Sequence, residues 1–302
     1  MDRLLVDLIK VMTLERLELN LFRGESRDIG SPQVFGGQVL GQALVAASAT
    51  VEGRDAHSLH AYFLRRGDVN SPIVYEVDRA RDGNHFSTRR ILAIQHGEQI
   101  FNMSASFQAP ESGLEHQLAM PQVPAPEDLT DLETHLKDVL AKLPPGMRRV
   151  MEQKRPFEFR PVHPPMILQT LDPARRPSPP QPSSPRRDIW FRAIGKLPDE
   201  DALHRCLLAY VSDFNLLDTA MIAHGLPRPE THLTIASIDH AMWFHRRVRV
   251  DDWLLYSTDS PSASGARGFA RGSVFDRGGR LVASTSQEGL LRVSHRTPET
   301  RA

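Results

Sequence analysis

Hydrophobic and polar residues along this chain fall into a series of short strand-like runs, interrupted by a few stretches with helical spacing. Asp2–Lys10 has the spacing of a short amphipathic helix, and Arg16–Arg23 (RLELNLFR) alternates as a strand does. Phe35–Ser48 (FGGQVLGQALVAAS) predicts a helix with Val39, Ala43 and Ala46 on one side. Gly36, Gly37 and Gly41 each cost about 1 kcal/mol against alanine inside a helix. Their presence predicts close approach of this helix to a sheet or a ligand. Strands are predicted at Ser58–Leu64, Ile73–Arg79, Phe86–Gln95 and Gln99–Phe107, with hairpin turns at Asp82-Gly83 and His96-Gly97. A helix followed by antiparallel strands is an α+β unit.

The pattern then breaks and returns. Ala109 to about Met151 is a proline-bearing connector with one predicted helix, Glu127–Lys142. Strands are predicted again at Pro156–Val162 and Asp188–Ile194, separated by the Pro- and Ser-rich stretch Arg176–Arg187, which reads as an exposed loop. A second helix is predicted over Glu200–Ala223. Strands follow at Thr234–His245, Trp253–Ser257, Phe269–Phe275 and Leu281–Arg292, with a turn at Gly278-Gly279. The second set repeats the first: Phe63 and Tyr75 match Phe244 and Tyr256 at a separation of 181, and Phe86 matches Phe269 at 183, so one small insertion separates the copies. Such a spacing is far beyond the roughly 20–50 residues of solenoid repeats. It predicts two similar domains, residues 1–110 and 151–302, joined by a connector at 111–150, with the active site where they meet.

Composition narrows the classes. The 302 residues suffice for two domains, and 37 basic residues balance 37 acidic ones, so no nucleic-acid partner is expected. Only five of the basic residues are lysines. The single Cys206 cannot form an internal disulfide and sits in an apolar helical pattern, which predicts a packed core thiol. No apolar run reaches the roughly 18–20 residues of a membrane span. The N-terminus has no signal-peptide core and the C-terminal ETRA is not a peroxisomal address, so a cytoplasmic location is expected.

In the second helix, Leu203, Leu207, Tyr210, Phe214, Leu217 and Met221 fall within a stripe roughly 80° wide, with Asp213 at its edge. Burial there raises a carboxyl pKa unless donors compensate, which is how reactive carboxylates are tuned; a local hydrogen-bonding role is the alternative. His57-x-x-His60 and His240 with His245 lack a third ligand, so no metal is expected, and His60 and His240 are read as satisfying buried polar groups. The turn Gly265–Gly268 brings Arg267 to a phosphate or is an ordinary strand connection. No G-x-S-x-G elbow, phosphate loop or dinucleotide loop is present.

The runs YVSDFN (Tyr210–Asn215), ASIDHAMWFHR (Ala236–Arg246), WLLYSTDSPSASGARGFARG (Trp253–Gly272) and LVASTSQEGLLR (Leu281–Arg292) resemble the acyl-CoA thioesterase II family. VFGGQVLGQALVAA, HSLHAYFLRRGD and MSASFQ in the first copy agree with it. The resemblance implies a double hotdog fold, two helix-plus-antiparallel-sheet repeats in one chain. It also implies a catalytic set of Asp213, Ser237 and Gln287, which hold a water that attacks the thioester of a medium- or long-chain fatty acyl-CoA directly, without a cofactor. The family's hydroxyl residue is usually Thr, so Ser237 is a departure that frees χ1. A backbone N–H at Gly36 or Gly37 is the expected oxyanion donor. An enoyl-CoA hydratase and a non-catalytic acyl-CoA binder share the fold and are the alternatives. Exposed hotdog edges predict a homodimer or homotetramer.

Overall fold

The computed structural model describes residues 2–141, 143, 145–165, 168, 185–224 and 231–295. Helix α1 (Arg3–Met12) is capped by Asp2, whose side chain accepts the Leu4 N–H at 2.8 Å. It precedes β1 (Glu15–Glu18), β2 (Leu21–Gly24), α2 (Gly36–Ser48) and the strands β3 (Asp55–Phe63), β4 (Ile73–Asp82), β5 (Phe86–Gln95) and β6 (Glu98–Gln108). The connector carries α3 (Leu132–Leu140) and α4 (Pro145–Glu152). The second repeat comprises β7 (Phe157–Pro161), β8 (Arg186–Ala193), α5 (Asp201–Ser212), β9 (Thr231–Ser237), β10 (Asp239–Phe244), β11 (Leu254–Ser264), β12 (Arg267–Asp276) and β13 (Leu281–His295).

All the strands belong to one antiparallel sheet in the order β1-β2-β4-β5-β6-β3-β10-β13-β12-β11-β8-β7, with β9 also on β13. The repeats join at its middle, where β3 pairs with β10 from Tyr62↔Asp239 to Ser58↔Trp243. The expected α+β double hotdog is the architecture of the chain. Helices α2 and α5 pack on each other between the repeats, and α2 is buried on nearly every side. The predicted close approach of its glycines is to α5: a Cβ on Gly37 would lie 2.2 Å from the Tyr210 carbonyl oxygen, and one on Gly41 3.1 Å from that of Cys206.

Several predicted elements differ. RLELNLFR is a hairpin, not one strand, because Glu18 and Leu21 pair across a turn at Leu19-Asn20. The predicted helix to Ala223 stops at Ser212; Asn215 takes a left-handed φ of 65° and a 3-10 turn follows at Leu217–Met221. The predicted strand Thr234–His245 breaks at Ile238, because the Asp239 carboxylate takes the Glu288 N–H at 2.7 Å and interrupts the ladder. The connector holds a second helix, α4. Arg186 and Arg187 open β8 instead of closing a loop; 176–184 lie outside the described residues. Phe86 and Phe269 are not equivalents: Phe86 pairs with Gln108, and the matching pair is Arg267 with Leu290. The extra residue sits in the last hairpin turn, since Leu64 and His245 donate to the Ile100 and Val282 carbonyls, 181 and 182 residues apart.

Candidate active site

The end of α5, the end of β9 and the middle of β13 converge on one point. Gln287 on β13 is fully buried opposite Ala270, and its Nε2 donates to Asp213 Oδ1 at 2.7 Å and to Ser237 Oγ at 3.0 Å. The three residues that the family resemblance implied therefore share one hydrogen-bonded cluster. Both amide hydrogens of Gln287 are spent on it. Its Oε1 is a buried acceptor with no partner among the described residues.

Asp213 is the cap of α5 and not a position on its apolar stripe, so the helix break sets its direction. Its carboxylate also accepts the backbone N–H of Gly37 in the first turn of α2. Gly36 leaves room for this: a Cβ there would lie 2.8 Å from Asp213 Oδ2. Burial raises the Asp213 pKa above the ordinary carboxylate value, while the Gln287 and Gly37 hydrogen bonds pull it back. The positive end of α2 favours the ionised form as well. Gly36 and Gly37 thus both lie beside the Asp213 carboxylate.

Of the groups that fix the end of α5, Tyr256 and Thr285 carry no local signal of that role. Tyr256 donates its hydroxyl to the Ser212 carbonyl at 3.1 Å and lies 2.7 Å from Thr285 Oγ1. Ser212 Oγ donates to the Ala209 carbonyl, so the His240 ring 3.0 Å away donates from Nε2. Burial pushes the His240 pKa down to about 4, which keeps this ring neutral at ordinary pH. His240 thus has the buried role predicted for it. His60 does not: it is exposed and meets the edge of Trp243. Arg267 pairs with Glu288 at 2.9 Å beside an ordinary hairpin turn with positive φ at Gly265 and Ala266. Cys206 is a buried core thiol with its pKa pushed up to about 12 by burial. Among the described residues, no three His, Cys, Asp or Glu side chains are grouped to hold a metal, and no helix is long and apolar enough to cross a membrane.

Comparison with known proteins identifies the family. Residues 23–108 match the family described as "Acyl-CoA thioesterase N-terminal domain", and residues 168–290 match the one described as "Acyl-CoA thioesterase". The chain is 41% identical to Acyl-CoA thioesterase 2 of Haemophilus influenzae across 97% of this chain and 100% of that protein. It is 40% identical to Acyl-coenzyme A thioesterase 8 of Homo sapiens across 96% and 90% of the two chains. A solved acyl-CoA thioesterase II, TesB2 from Mycobacterium marinum, is 42% identical and superposes with a TM-score of 0.76 over 96% of this chain and 99% of that one. A hot dog fold protein of Alicyclobacillus acidocaldarius, with 18% identity and a TM-score of 0.73, shares the fold. The chain belongs to the acyl-CoA thioesterase II family.

Proposed function

We propose that the cluster of Asp213, Ser237 and Gln287 hydrolyses acyl-CoA by direct attack of a water molecule. The chain is an acyl-CoA thioesterase. The observation that carries the mechanism is the Gln287 amide bridging Asp213 and Ser237, which sets a base and a hydroxyl around one small volume. Asp213, ionised, takes a proton from the water as its oxygen bonds to the thioester carbon. Ser237 Oγ already accepts from Gln287, so its proton is free to orient the same water, and Gln287 Oε1 supplies a further acceptor. The tetrahedral adduct collapses with cleavage of the carbon–sulfur bond, and the proton held by Asp213 passes to the coenzyme A sulfur. Fixing the water in this way supplies on the order of several kcal/mol of the barrier reduction.

The hydratase alternative needs a histidine poised with the acid over the acyl chain. His240 is neutral, buried and committed to Ser212, which supports hydrolysis instead. In the same reading the substrates are medium- and long-chain fatty acyl-CoA. The enzyme works in the cytoplasm as a homodimer or homotetramer, with residues 1–110 and 151–302 as two hotdog domains and 111–150 between them. Asp213→Asn tests the mechanism by thiol release from an acyl-CoA series. Turnover should fall by about 10²–10⁴-fold, the usual contribution of a general base. Full turnover by this variant would overturn it.

A further inference from the structure

Asp213 also lines a cavity of about 320 Å³ whose walls include Arg27, Lys154, Arg155, Phe214 and Asn215. Hydrogen-bond donors outnumber acceptors around it. Arg155 lies over the rings of Phe214 and Phe159, at 5.2 and 6.0 Å from their centroids, and has no hydrogen bond or ion pair among the described residues. Arg27 Nη2 donates to the Lys154 carbonyl at 3.3 Å, but its Nη1 is buried and unpartnered. Asn215 Oδ1 accepts from Arg187 at 3.4 Å, whereas its Nδ2 is buried without a partner. Lys154 pairs with no carboxylate among the described residues.

The acids at the same wall do not balance these cations. Asp213 is engaged by Gln287 and Gly37, and Asp218 lies 3.9 Å from Arg187, itself partly buried. Burial lowers the pKa of both Arg155 and Arg187; Asp218 opposes the shift at each, and Tyr210 and Glu133 also oppose it at Arg155. A guanidinium stays charged regardless. Leaving a buried donor unspent costs about 1–3 kcal/mol. Unspent donors on Arg27 and Asn215, beside an unpaired Arg155 at one cavity, therefore fit a ligand rich in acceptor oxygens.

We propose that this cavity seats the phosphate-bearing arm of coenzyme A, with Arg155 as its anchoring cation. Arg27 supplies a second guanidinium donor, and Asn215 Nδ2 donates to a neighbouring phosphate or pantetheine oxygen. Planar guanidinium groups suit this role because they bind two phosphate oxygens at once. The assignment rests on the acyl-CoA reading and adds the residues that recognise the coenzyme.

The test compares an acyl-CoA with the N-acetylcysteamine thioester of the same acyl group, which presents the reacting bond without phosphates. Arg155→Gln should raise KM for the acyl-CoA at least about tenfold with kcat little changed, and leave kcat/KM for the phosphate-free thioester unaltered. Inhibition by free coenzyme A should weaken by the same factor, and Arg155→Lys should recover part of the loss. Equal losses on both thioesters, or no change on either, would overturn the assignment. Calorimetric titration with coenzyme A separates the two readings. If the wild type released no thiol from either compound, hydrolysis would be refuted, while weaker coenzyme binding by Arg155→Gln would still sustain the coenzyme site.

Discussion

The two repeats have similar frames and put opposite chemistry at matching positions. Helix α5 is capped by Asp213, and α2 is capped by Ala49. Ser237 pairs with Gly289 where Ala56 pairs with Phe107. Gln287 lies opposite Ala270, and its counterpart Ala105 lies opposite Arg89. The first repeat thus holds three alanines in place of the acid, the hydroxyl and the amide. It fills the neighbouring space with Arg89, 1% exposed, which donates to Thr50 Oγ1 at 2.8 Å, to the carbonyls of Thr50, Arg81 and Thr88, and to Asp82 at 2.8 Å. A buried cation whose donors are spent rigidifies; a buried amide with a spare acceptor beside a raised-pKa acid can react. The helix starts exchange favours too: Gly37 N–H serves Asp213, while Arg205 on α5 reaches the Ala56 carbonyl at 2.9 Å.

This contrast can be broken at graded cost. Gln287→Ala should lower kcat by about 100-fold, within the range of lost water positioning and base catalysis. It should also move the acid limb of the kcat–pH profile to higher pH, because the variant removes a hydrogen bond that lowers the Asp213 pKa while burial remains. An unmoved limb would mean that Gln287 does not govern the acid. Arg89→Met should do the reverse. It should cost about 1–3 kcal/mol of stability, seen as a lower midpoint of thermal unfolding, and leave kcat/KM of the folded enzyme intact. Its partner Asp82 is half-exposed, so the ion pair itself contributes little. Loss of turnover without loss of stability would erase the distinction between the repeats. Ser237→Thr should give the smallest change, a rate gain of less than about tenfold from a stiffer χ1. An unchanged or lower rate would show that the missing methyl is irrelevant to the water.

The acid linkage has a defined sign. Because burial raises the folded-state pKa of Asp213, the stability this group contributes is present below its unfolded pKa and is lost as pH rises through the folded value. Near neutral pH its ionisation opposes folding, a cost that an inert structural acid would not be expected to carry.

How much was legible in the sequence follows from where local pattern and tertiary contact agree. Strand β5 matched its predicted bounds because turn signals at Asp82-Gly83 and His96-Gly97 bracket it; FSTRRILAIQ itself does not alternate, and only its burial does. The cluster proposed as catalytic was implied only by its long family runs, since residue type alone does not reveal that Gln287 reaches Asp213. The break after Ser212 was hidden because apolar residues continue at helical spacing through Met221, although Leu217–Met221 is a 3-10 turn. Ile238 was hidden for a related reason: alternation persists across it, and the interruption depends on the Asp239 side chain meeting Glu288 from β13. Arg89 and Arg155 were lost among 32 arginines, whose burial only packing decides.

The β3–β10 seam has a consequence for growth of the sheet. Two hotdog sheets standing apart would offer four open borders for a foreign strand, and the seam uses two of them up internally. At one end of the strand order, β1 is the fully exposed ERLE, where charge discourages annexation by a neighbour. At the other end, β7 finishes at Pro161, which has no N–H to lend. Self-templated stacking is thereby discouraged at both flanks of this strand order.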